Sequence, residues 1–164
     1  MLPGLYLFDG METRPKFRYG QIEQALVDAL RIEPGDIGAF RARLRHLRGL
    51  GLPNVTRPGS GRTVDYTWQQ AFEMLLALEL ENIGKAPRIA KLVAESIGRM
   101  TGTTRAGIAN EYIVVEPSLA AKYEILTGEE QFRRWLTSSA PRGFSVLNLS
   151  ACIRALDAAL IKTT

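Results

Sequence analysis

The chain of 164 residues has room for one ordinary domain or two small ones sharing a core, and 46% hydrophobic against 23% charged residues excludes a disordered chain. One cysteine, Cys152, and one histidine, His46, exclude an intrachain disulfide, a Cys-based zinc site and a His-rich metal site. The net charge of +4 resides in the first 63 residues, where 10 Lys and Arg stand against 6 Asp and Glu; the rest balances at 11 and 11.

Residues 1–16 lack helical periodicity and read as an irregular arm or a short edge segment. Asp9 and Glu12 cut the apolar start too short for a signal peptide, and no apolar run approaches the roughly 18 residues of a membrane span. The sequence therefore reads as a soluble protein of a reducing cytoplasm. Residues 21–31 place Ile22, Ala25, Leu26, Ala29 and Leu30 on one stripe and predict an amphipathic helix. A turn at 33–36 follows, with Asp36 as the N-cap of a second helix over 37–50.

That second helix carries the functional signal. Ile37, Phe40, Leu44 and Leu47 form an apolar seam, and Arg41, Arg45 and Arg48 share a neighbouring face at i, i+4, i+7 spacing. Between residues 41 and 62 there are six arginines, Arg41, Arg43, Arg45, Arg48, Arg57 and Arg62, and no acid. Such a cluster suits a phosphate-bearing partner, because each guanidinium forks onto phosphate oxygens. A solvated helix face is the plainer reading of the same charges. Gly49 and Gly51 end the helix, and Pro53 prevents its resumption.

Two short β-prone runs around Pro58-Gly59-Ser60-Gly61 predict a hairpin over 55–66, with Arg57 and Arg62 flanking its tip. Tyr66 and Trp68 read as packing residues at the junction that follows. Thr67 is an N-cap for a helix to about residue 82. Gly84 breaks it, and a further helix starts with Pro87 at N1 and reaches about residue 97. Residues 98–110, rich in Gly and Thr, read as a linker. Beyond it the pattern predicts strands at 112–115, 122–126 and 144–149, and a helix at 129–136. Ser150 caps a last helix through about residue 161, inside which Cys152 is a buried small hydrophobe.

Helix, turn, arginine-faced helix and basic hairpin is the order of a winged helix-turn-helix module. Within that class the chain resembles the MerR-like transcription regulators. Residues 44–52 (LRHLRGLGL) are similar to that family's leucine-arginine stretch ending in Gly-Leu, with Arg45 at the place of the second-helix arginine. Gly61-Arg62 followed by Tyr66-Thr67 resembles the wing, and Leu75 to Leu80, Gly84 and Ile89 to Val93 resemble the helix pair behind it. The likeness spans residues 18–97. It departs from the family at His46, Leu47 and Arg48, and no long heptad helix follows residue 97.

The sequence thus predicts a mainly α fold with a β-hairpin wing. An N-terminal arm at 1–16 precedes a winged helix-turn-helix domain at 17–98. A linker at 99–110 leads to a small α+β region at 111–164 for dimerisation, effector or partner binding. The expected function is sequence-specific binding of double-stranded DNA in transcription regulation, as a homodimer, with RNA polymerase or another regulator as a further partner and no membrane. Arg41 and Arg45 are the candidates for base edges, and Arg48, Arg57 and Arg62 for phosphates. Arg43, at the other border of the seam, is either a phosphate contact or a solvated residue, and His46 completes the candidate set. The alternative is an interaction adaptor built on the same scaffold and contacting a polymerase, phage or replication protein. No cofactor or metal is expected. Neither is an enzyme, since a Ser-His-Asp or Cys-His site would have to recruit His46 from the arginine helix.

Overall fold

The computed structural model describes residues 16–55, 64–101, 111–116, 122–138 and 143–163. The fold is mainly helical with a small antiparallel sheet. In chain order the elements are α1 (Tyr19–Ala29), a single 3-10 turn (Pro34–Asp36), α2 (Ile37–Gly49), α3 (Trp68–Asn82) and α4 (Pro87–Thr101). There follow β1 (Glu111–Val115), β2 (Tyr123–Thr127), α5 (Gly128–Ser138), β3 (Ser145–Asn148) and α6 (Leu149–Thr163). Among the described residues no helix is long and apolar enough to cross a membrane.

α3 is the axis of the molecule. Every residue from 71 to 78 is buried, together with Leu80, so the helix meets protein on all sides. α4 returns along it, α6 packs on both α3 and α1, and α2 lays its seam of Phe40, Leu44 and Leu47 into the same core. Burial of each of these large side chains contributes roughly 1.5–3 kcal/mol before the ordering entropy is set against it. α6 also joins α1 at its end, where the Gln21 amide donates to the Thr163 carbonyl at 2.9 Å. The C-terminal helix is therefore part of the core that holds α1, α2 and α3.

The sheet has the order β2-β1-β3, with both pairs antiparallel and Ile113 registered against Ile125 and Leu147. Alternation along β1 divides its side chains between two layers. Ile113 and Val115 enter the main core, whereas Val114 faces α5 beside Leu126 and Trp135. That second layer is aromatic: Phe132 stacks on Tyr112 at 5.2 Å, and Phe144 meets Trp135 edge-on at 4.8 Å. Further hydrogen bonds tie the C-terminal elements to the helices, among them Ser96 Oγ with the Tyr123 hydroxyl and Trp68 Nε1 donating to Asp157 Oδ1, both at 2.7 Å.

Three helices end alike. After α1, α2 and α3 one residue enters the left-handed region, namely Arg31 (φ 53°), Gly51 (φ 86°) and Gly84 (φ 89°). In each case the next N–H reaches back five residues, as Ile32 to Val27, Leu52 to Leu47 and Lys85 to Leu80. These bonds satisfy carbonyls that the helix itself leaves open. For α2 the bond also seats Leu52 beside Leu47 in the core.

Several sequence expectations change in detail. The linker expected from residue 98 begins later, because α4 continues to Thr101 and Gly98 is buried inside it against Glu73. Ser150 lies within α6. The capping oxygen belongs to Asn148, whose Oδ1 accepts from the Ala151 N–H at 3.0 Å. Asp36 occupies the N-cap position of α2 but makes no side-chain capping bond, since the preceding 3-10 turn already orders the entry. Thr67 caps α3 reciprocally with Gln70, at 3.2 and 2.8 Å. Cys152 is buried, and that burial pushes its thiol up to about 12.

Candidate nucleic-acid interface

The arginine row exists because α2 is one-sided. With Phe40, Leu44 and Leu47 fixed in the core, the 3.6-residue repeat turns Arg41, Arg45 and Arg48 outward, and all three are exposed. Their local partners differ. Arg41 Nε donates to Glu23 Oε1 of α1 at 2.7 Å. Arg48 lies over the ring of Tyr19, its guanidinium carbon 4.4 Å from the centroid. The side chains of Arg45 and His46 are exposed and make no hydrogen bond or ion pair with any described residue.

Arg43, at the other border of the seam, is partly buried. Its Nε donates to Glu81 Oε2 and its Nη2 to the Leu78 carbonyl, each at 3.0 Å, so it clamps α2 onto the end of α3. The sequence position, two residues from Arg41 and Arg45, already put it on the opposite border of the seam. Only packing supplied the carboxylate that engages it there.

Tyr19 and Glu23 are the residues that sequence reasoning passed over. Both sit on α1, one turn apart, and contact the ends of the arginine row. Tyr19 also packs against Tyr66, with ring centroids 6.0 Å apart. Tyr66 in turn exchanges both backbone hydrogen bonds with Phe17, at 2.9 and 2.8 Å. Arg18 adds an ion pair to Asp65 at 3.2 Å. Residues 65 and 66 are thereby fastened to the start of α1, beside Arg48. A hydrophobic-period search cannot flag Tyr19, because the contact it makes is with a cation 29 positions away.

The hairpin expected over 55–66, with Arg57 and Arg62, falls largely on residues 56–63, outside the described residues. Its two flanks are described: Gln70 Nε2 donates to the Asn54 carbonyl at 3.2 Å on one side, and Tyr66 is buried on the other. No group of three or more metal-ligating side chains occurs among the described residues.

The arrangement can present a line of guanidinium groups to an anionic surface while its reverse side is anchored in the core. Releasing Arg41 from Glu23 costs little, since an exposed ion pair of this kind is worth about 0–1 kcal/mol. A bidentate contact to guanine is worth about 1–3 kcal/mol and offsets it. No family model matches the chain, nor does any curated protein or solved structure.

Proposed function

We propose that the protein is a sequence-specific DNA-binding transcription regulator of winged helix-turn-helix type. The observation that carries the reading is the exposed row of Arg41, Arg45 and Arg48 on a helix whose other face is buried, with Arg45 free of any described partner. In this reading α1 and α2 are the helix-turn-helix, α2 enters the major groove, and the segment at 55–66 lies along the backbone or an adjacent minor groove. Arg41 and Arg45 reach base edges; Arg48, Arg57 and Arg62 hold phosphates and set the register, with His46 beside them. The resemblance of residues 18–97 to MerR-like regulators supports the same assignment. Proteins of this class bind inverted repeats as symmetric dimers, so the reading includes a homodimer, with RNA polymerase or a second regulator as its further partner.

The test is capture of fragmented genomic DNA by the purified protein at moderate salt with excess competitor, followed by sequencing. Recovery of a few fragments sharing an inverted repeat supports the proposal. Affinity for such a fragment should fall with salt at a log-log slope of roughly −4 to −5, the signature of about four to six arginine–phosphate contacts. Recovery of nothing, or of all fragments equally, overturns sequence-specific recognition and leaves the adaptor reading, in which a docked protein partner shows no such salt dependence.

A further inference from the structure

A groove of about 420 Å³ lies between α3 and α4, lined by Gln69, Gln70 and Glu73 on one side and Lys91, Glu95 and Arg99 on the other. Glu73 is the one polar residue in the buried run from 71 to 78, with 6% of its surface exposed. Gly98 makes its position possible, because a Cβ there would stand 2.4 Å from Glu73 Cγ. Glu73 Oε1 accepts from Gln69 Nε2 at 3.0 Å. A carboxylate has room for about four donors, so Glu73 can accept more than the one from Gln69. Desolvation holds this carboxyl above the usual carboxylate range.

The facing charges complete a pattern. Lys91 and Glu95 neutralise each other at 3.0 Å. Arg99, one turn beyond Glu95, is exposed, and its charge acts on the Glu73 carboxyl against the effect of burial. One largely buried acid and one exposed cation therefore line the same groove.

We propose that the groove binds a small zwitterion of the α-amino-acid type, its ammonium on Glu73 and its carboxylate on Arg99. An ammonium brings three donors to the buried carboxylate, and the guanidinium fork matches a carboxylate bidentately. The volume lies toward the lower end of the roughly 300–1,000 Å³ of small-molecule sites. No aromatic side chain lines the groove, so a nucleobase has no surface on which to stack. None of the α2 arginines lines it either, so this site does not depend on the DNA reading.

Isothermal titration of the full chain tests the proposal with each of the twenty amino acids, and with ethylamine and propionate as single-charge probes. The expected result is saturable binding of at least one amino acid, weakened tenfold or more by Glu73→Gln and by Arg99→Gln and unchanged by Arg133→Gln on α5. Arg99 is exposed, so its variant remains decisive if Glu73→Gln fails to fold. Absence of saturable binding by every amino acid overturns the site. So does affinity left unchanged by either folded groove variant, or ethylamine or propionate binding as tightly as the amino acid.

Discussion

Arg41 and Glu23 are joined at 2.7 Å across α2 and α1, while Arg45, one turn further along the same row, has no described partner. The two arginines therefore start from different states when an anion approaches. Arg41 must leave a carboxylate, and Arg45 exchanges only water.

The first prediction follows from that difference. Arg45→Ala should weaken binding to a captured DNA fragment by roughly 1–3 kcal/mol. Arg41→Ala should cost less, by up to about 1 kcal/mol, and Glu23→Gln should strengthen binding by a similar amount. Fluorescence anisotropy titrations at one fixed salt concentration measure all three. Equal losses for the two arginines would show that Glu23 does not restrain Arg41 in solution.

Arg43 belongs to stability. Glu81 is nearly buried, its Oε1 has no hydrogen-bond partner among the described residues, and its Oε2 is held by Arg43. Arg43→Ala should destabilise the fold by roughly 1–3 kcal/mol, because it leaves a desolvated carboxylate with no donor on either oxygen. Urea denaturation reads the loss. DNA affinity measured well below the unfolding midpoint should stay within a factor of two of the parent.

Gly98 and Glu73 should behave as a coupled pair. Gly98→Ala drives a methyl group toward Glu73 Cγ and should cost about 1–3 kcal/mol. In the Glu73→Ala background the same change should cost far less, giving a coupling energy above roughly 0.5 kcal/mol in a double-mutant cycle. Additive losses would place the strain elsewhere in α4.

The raised ionisation of Glu73 sets the sign of a pH effect. The folded protein holds this proton to higher pH than the unfolded chain, whose carboxyl titrates near 4.5. Through the window from 4.5 up to the folded value the native state binds more protons, so stability falls as pH rises. Glu73→Gln removes that dependence. Its stability relative to the parent should increase between pH 4 and pH 7 in paired denaturation curves.

Arg31 is the single non-glycine among the described residues with a left-handed backbone, at φ 53°. A side chain there costs roughly 1–2 kcal/mol, partly offset by the greater chain entropy that glycine brings to the unfolded state. Arg31→Gly should raise stability by roughly 0.5–1 kcal/mol, visible as a small rise in Tm.

Much of this was legible in the residues. α2 was readable to within a residue, because its apolar seam repeats at helical spacing and Gly51 supplies the left-handed stop. The strands of the C-terminal sheet were found near their places for a related reason, runs of β-branched and aromatic side chains bounded by turns. The errors lie at ends. Gly98 looked like a helix breaker, yet it sits inside α4 because a close approach by Glu73 leaves no space for a Cβ. Asn148 rather than Ser150 caps α6, since β3 ends one residue before the helix begins and leaves no loop between them.

The sequence by itself determined which face of α2 would be charged, because the period of the helix is a local property of the backbone. It also determined that no cysteine pair could brace the core. Only the tertiary structure decided which arginines are available. Arg41, Arg43, Arg45 and Arg48 are alike as letters, and they differ through Glu23, Glu81 and Tyr19, which packing brings beside three of them from 18 to 38 positions away and not beside the fourth. Charge periodicity is written locally. The pairing of those charges is a long-range consequence of how the apolar faces close on one another.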